Sequence, residues 1–164
     1  MPRAALLSVV AILIAVSAIS LRAAPAARDR DSSTACNRVR LLPAAGHEKE
    51  LLGGTIRGSN VSAREGFEVL AEIRSVPQRG QWLELNFPNQ KPYRWLKYEA
   101  PAGSYGWMAK IEFYAGTRKL MGPVFAPFPL GLWRKALDEK RDTQIHGEDR
   151  DGQYVGIDVG EKGS

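Results

Sequence analysis

Two aromatic side chains, Tyr105 and Trp107, stand among the small residues of Glu99 to Gly116 (EAPAGSYGWMAKIEFYAG). Large flat rings on a turn suit one chemistry well. An apolar ring face meets the C–H face of a pyranose, while polar neighbours hydrogen-bond its hydroxyls. Polar residues of suitable type fall in other predicted loops: His47, Glu48, Asn60 and Arg64, with Trp133 as a further ring. These seven residues form the candidate ligand-binding set. The competing reading is that Tyr105 and Trp107 cap the end of a core, as aromatics in β proteins often do. Trp82 and Trp95 fall mid-strand and are core candidates.

Catalysis has little to draw on. The two histidines, His47 and His146, stand in neither a metal-ligand nor a nucleophile spacing. Cys36 is the single cysteine, lies in a polar segment and reads as an exposed thiol. Glu112 and Asp158 fall on predicted strands as outward, solvated carboxylates, and Leu52-Gly53-Gly54-Thr55 lacks the lysine of a phosphate-binding loop. The expectation is a binding protein with no catalytic residue and no metal ligand set.

The elements that must position these residues are strands. Leu83, Leu85 and Phe87 alternate with Glu84 and Asn86; Ala109, Ile111 and Phe113 alternate with Lys110 and Glu112; Val155, Ile157 and Val159 share one face of Gln153 to Val159. Tyr93 to Ala100 is aromatic and alternates less cleanly. Phe67, Val69, Ala71 and Ile73 fit a strand, though Phe67, Leu70 and Ile73 also fit a helix. Turn chemistry separates the runs at Pro77 to Gly80, Pro88 to Pro92, Pro101 to Ser104 and Gly147 to Gly152. Short strands at this spacing predict an all-β sandwich or barrel, with loops gathered at its ends. The turn at Gly103 to Gly106 belongs at such an end.

Ahead of the strands, Ala4 to Leu21 is apolar or small throughout, follows Arg3, and precedes small residues at Ala24-Pro25-Ala26. Residues 1–26 read as a secretory signal peptide, which makes the protein secreted or extracytoplasmic. The alternative is an uncleaved membrane anchor. Residues 27–37 are polar and read as a flexible linker, leaving 38–164 as one domain. The net charge of +5 comes partly from six arginines in or near the leader and first strand (Arg3, Arg22, Arg28, Arg30, Arg38, Arg40). The remaining bases are scattered among acids and form no stripe beside an aromatic platform, which speaks against nucleic acid as a partner. Asn60-Val61-Ser62 also fits a glycosylation sequon.

The runs GSNVSAREGFEVLAEI, GQWLELNF, YRWLKYEAPAGSYGWMAKIEFYAG and GQYVGIDVG, taken in series, resemble the discoidin-like, coagulation factor V/VIII type C domain. That resemblance implies a galactose-binding-like jelly-roll β-sandwich and, in secreted proteins, a carbohydrate-binding module. The partner implied is a glycan or cell-surface polysaccharide. The order departs from the family: the segment resembling the family's end, Glu99 to Gly116, precedes the one resembling its beginning, Lys135 to Gly160. Two readings follow, a circularly permuted single domain or a fragment of tandem repeats whose halves complete each other by self-association. The family often holds a structural calcium between an opening aspartate loop and a closing-strand acid. Here the loop matches Asp138 to Thr143 and the acid's position is Lys110, whose ammonium repels a cation and pairs instead with Asp138 or Asp142. The expected cofactor is therefore none. The alternative function is a structural or protein-interaction module at the cell surface.

Overall fold

The computed structural model describes residues 35–127, 130–138 and 144–160. The predicted signal segment, most of the predicted linker, Asp142 and the last four residues lie outside the described residues. Within them run β1 (Arg38–Pro43), β2 (Thr55–Ser59), β3 (Glu68–Glu72), β4 (Leu83–Asn86), β5 (Trp95–Glu99), β6 (Met108–Ala115), β7 (Arg118–Leu120), β8 (Val124–Phe125) and β9 (Tyr154–Asp158). A short α1 (Leu130–Trp133) continues into a 3-10 turn at Arg134–Ala136. The strands make two antiparallel sheets, ordered β4-β1-β6-β7 and β3-β2-β5-β9-β8.

The sheets stack face to face as a β-sandwich. Val39, Leu41, Ile111 and Phe113 from one layer meet Ile56, Leu96, Tyr98, Val155 and Ile157 from the other in one buried cluster. Period-two alternation produces this face, because successive side chains of a strand point to opposite sides. The last strand is integral to it: β9 lies between β5 (Trp95↔Asp158 to Glu99↔Tyr154) and β8 (Val124↔Ile157). Both ends of the sandwich chain are tied to one short segment. Asn89 Nδ2 donates to the Cys36 carbonyl at 2.8 Å, and Val159 N donates to the Arg94 carbonyl at 2.8 Å.

Several expectations need correction. The packed chain begins before Arg38: Ala35 and Cys36 are buried, and Asn37 N donates to the Tyr114 carbonyl. Cys36 is therefore a core side chain rather than an exposed thiol, and burial pushes its pKa up to about 12 against two weaker hydrogen bonds that lower it. In β3 the strand reading is right and the face is not. Val69 is 55% exposed, because the register slips between Ile56 and Arg57, so that Ile56 faces Ala71 and Arg57 faces Val69. Leu70 is the extra residue of this bulge and packs partly against the core.

Trp82 and Trp95 are half-buried on the outer faces, not in the core, each beneath a guanidinium 4.5 Å from its ring centroid (Arg40 and Arg94). Glu112 and Asp158 are paired rather than simply solvated. Burial alone would raise Glu112, but hydrogen bonds from Tyr114 and Lys119 with the charge of Arg40 outweigh it and lower its pKa. The Arg94 guanidinium holds the Asp158 carboxyl below its ordinary value.

Lys110 points away from the sandwich core, yet only 3% of it is exposed, because the segment 133–138 covers it. Its ammonium donates to the Lys135 carbonyl oxygen and to Asp138 Oδ1. A buried ammonium is tolerable only with such partners.

The Cys36 environment makes a direct prediction. A protonated thiol enclosed in a core neither attacks nor is reached, so native protein should leave a thiol-disulfide reagent unreacted at about pH 8. One thiol should react once guanidinium unfolds the chain. Rapid reaction of folded protein would contradict the packing of Cys36.

Candidate functional site

Antiparallel pairing decides which loops meet. In the β1–β6 ladder Pro43 is opposite Met108, so the chain leaving β1 emerges beside the chain entering β6. An isolated bridge between Met108 and Ile145 brings in a third segment. Residues 44–50, 101–107 and 144–151 therefore converge on one end of the sandwich.

The central loop is a tight bend closed by polar bonds. Gly103 and Gly106 hold φ of 79° and 67°, a region glycine enters without cost. A Cβ on Gly106 would stand 3.1 Å from Gln153 and 3.3 Å from the Trp133 ring, so glycine also permits close packing on that indole. Ser104 is buried, and its Oγ accepts from Gly106 N at 3.0 Å and donates to Glu50 Oε2 at 3.4 Å. Gly103 N donates to Asp151 Oδ1 and Gly147 N to the Tyr105 carbonyl, each at 2.7 Å. Three loops are thus stitched into one surface.

Four rings occupy it. His47 lies parallel to Trp107, with centroids 3.9 Å apart and planes 10° apart. His146 lies 4.0 Å from the same indole, tilted 31°. The two imidazoles make no ring contact with each other, and two rings each about 4 Å from one centroid avoid contact only on opposite sides of it. Trp107 is therefore clasped between two histidines. Tyr105 meets His146 edge to face at 86° and 6.4 Å, and the Arg150 guanidinium stands 5.7 Å from the Tyr105 centroid. Tyr105 and Trp107 are half-buried, and His146 is exposed.

Carboxylates hold the histidine on the β1 side. His47 Nδ1 lies 2.9 Å from Glu50 Oε1, within a 3-10 turn over Glu48–Leu51. Behind Glu50 lies Tyr98, whose buried hydroxyl has no partner among the described residues; burial, then the charge of Glu50, pushes its pKa up. Glu48 stands next to His47, but its Oε1 accepts from Gly46 N at 3.0 Å and so braces the turn.

The structure brings together Tyr105, Trp107, His47 and Glu48 from the predicted set. It does not bring Asn60, Arg64 or Trp133 to them. Asn60 and Arg64 follow β2, while His47 precedes it, which separates them by roughly 15 Å of strand. Both ends of the Asn60 amide are engaged, Nδ2 to the Pro92 carbonyl and Oδ1 from Arg94 N. Trp133 is 1% exposed and lies beneath Gly106, so it supports the loop and is out of a ligand's reach.

Sequence reasoning missed His146, Glu50, Ser104, Arg150 and Asp151. The His47–Glu50 spacing of three residues is the signal of a side-chain pair within one turn. The Gln144-Ile145-His146 alternation marks a strand-like residue whose neighbours face out.

No family model matches the chain, and no curated protein matches it. Among solved structures it is similar to CBM62 from Clostridium thermocellum Xyl5A, at 26% sequence identity and a TM-score of 0.46. The likeness covers 49% of this chain and 60% of that one, less than two thirds of its length.

Aromatic pairs of this kind contribute about 0.5–1.5 kcal/mol each beyond the area they bury. Trp107→Ala removes two such pairs and should lower the free energy of unfolding in urea by about 1–3 kcal/mol, with Trp107→Phe retaining part of it. A loss within error of zero for Trp107→Ala would mean that the clasp does not form in solution.

Proposed function

We propose that this protein is a secreted, non-catalytic carbohydrate-binding module that holds a glycan at the loop end carrying Tyr105, Trp107, His47 and His146. One observation supports this above the rest: Tyr105 and His146 stand at 86° to each other, with His146 packed on the Trp107 indole, forming a corner with two ring surfaces. A pyranose seated there meets an aromatic face with its C–H groups, and Arg150, Glu50 and the imidazoles lie within the same set of loops for its hydroxyls.

The type C, discoidin-like assignment and the permuted order belong to the same proposal. Pairing of β9 on both its edges, and the tethering of both sandwich ends to Asn89–Arg94, support a permuted single domain over a fragment. The Lys110–Asp138 pair supports a domain that needs no calcium, since an incoming cation meets an ammonium already bonded to the aspartate.

A glycan array followed by calorimetric titration tests the reading. Wild-type protein should bind at least one glycan class, with Tyr105→Ala and His146→Ala each weakening it about tenfold or more. Asn60→Ala and Arg64→Ala should leave affinity unchanged. Absence of binding across the array, or equal binding by all four variants, would rule the site out. Calcium titrated into the protein should produce no saturable heat and no change in midpoint of unfolding; a rise in that midpoint would mean that the Lys110 argument fails.

A further inference from the structure

We infer that the two imidazoles clasping Trp107 present a pair of hydrogen-bond acceptors, so that the site takes an uncharged ligand rich in hydroxyl donors and turns acidic ligands away. The inference rests on the glycan reading above and narrows it to a ligand class.

Each ring is fixed by a partner that can only accept. His47 Nδ1 lies 2.9 Å from a carboxylate oxygen of Glu50, and His146 Nδ1 lies 2.8 Å from the Gly147 carbonyl oxygen. Neither oxygen has a proton to give, so Nδ1 carries the proton in both rings. A neutral imidazole has a single N–H, which leaves Nε2 as a bare lone pair in both. His146 is exposed and the His47 side chain is 32% exposed, so neither ring is sealed from solvent. Nε2 lies across the ring from Nδ1, and a bond that anchors one nitrogen to the protein directs the other away from it. Stacking on both sides of Trp107 keeps each ring from turning its Nδ1 away from that partner.

The charges nearby act in the same direction. Residues 46–50 and 146–151 carry Glu48, Glu50, Glu148, Asp149 and Asp151 against Lys49 and Arg150, with Arg79 also acting on Glu48. A uronate or sulfate would meet lone pairs and excess negative charge. A hydroxyl meets acceptors to which it donates.

Long-range proton–nitrogen NMR spectra of the whole protein at about pH 8 read the tautomers without any ligand. The expected result is an unprotonated Nε2 in both rings; an Nε2–H signal from either ring overturns the inference. Glu50→Gln substitutes an amide that can accept from or donate to Nδ1, and should let His47 populate both tautomers while His146 keeps one. A His47 unchanged in that variant would show that Glu50 does not set it, which also overturns the inference. Calorimetric titration then compares methyl hexopyranosides with the matching hexuronates. At about pH 8 the neutral sugars should bind about tenfold more tightly or better. Hexuronates that bind as well or better overturn the inference and leave the glycan reading standing. Failure of both sugar classes, together with a blank glycan array, removes the glycan reading and this inference with it.

Discussion

Antiparallel pairing of β1 with β6, from Arg38↔Tyr114 to Pro43↔Met108, is the constraint on which the rest of the molecule depends. It places two central strands side by side with their buried residues, Val39, Leu41, Ile111 and Phe113, on one face. It also sets where the loops emerge. A slip of one residue would turn that apolar set to solvent, so the register is held by burial and not by the hydrogen bonds alone. Because the register is held, the residue four positions past β1 and the residue just before β6 meet as rings. The His47–Trp107 stack is a consequence of core packing some distance away.

The outer faces show how the same sheets tolerate charge. Lys110 and Lys97 are almost fully buried although both point away from the core. The chain between 133 and 138 encloses Lys110 and supplies a carbonyl and a carboxylate. Lys97 lies 4.2 Å from the Phe67 centroid and 4.8 Å from that of Tyr154, and pairs with Glu99. Each ammonium thus exchanges water for a specific set of partners, most of them from segments distant in sequence. An alternative packing that kept either ammonium buried without its partners would be strongly destabilised.

Legibility followed locality. The strand β6 spans the residues that alternation marks, Met108–Ala115, and β9 lies within its predicted run. Both are regular, with one face on a core. The inner face of β3 was not legible, because a bulge is set by the partner strand's register and leaves no trace in a two-residue period. The polar neighbours of Cys36 predict exposure; its burial comes from Tyr114 and Asn89, tens of residues away. The short β7 and β8 carry too few residues for any period to show. Within the site, Tyr105 and Trp107 were legible from composition alone, since large rings on a glycine turn are unusual. His146 was not, because nothing in the 36 positions between Met108 and Ile145 hints at the bridge that carries it to the indole.

The clasp changes what Trp107 contributes. A ring free on one side offers its face to a sugar and pays in flexibility, whereas a ring with an imidazole on each face offers only its edge. Trp107 therefore acts as the rigid spacer of the site. It fixes the separation of two histidines and backs the one whose outer side is open. The Glu50 carboxylate, shared between His47 and Ser104, ties that spacer to the loop that presents Tyr105. Orientation is settled within the protein itself, and in the proposed binding role a site so arranged would lose little conformational freedom. That is the physical gain from placing large rings on a bend: the turn's glycines allow close approach, and the rings' mutual contacts remove the mobility that glycines would otherwise confer.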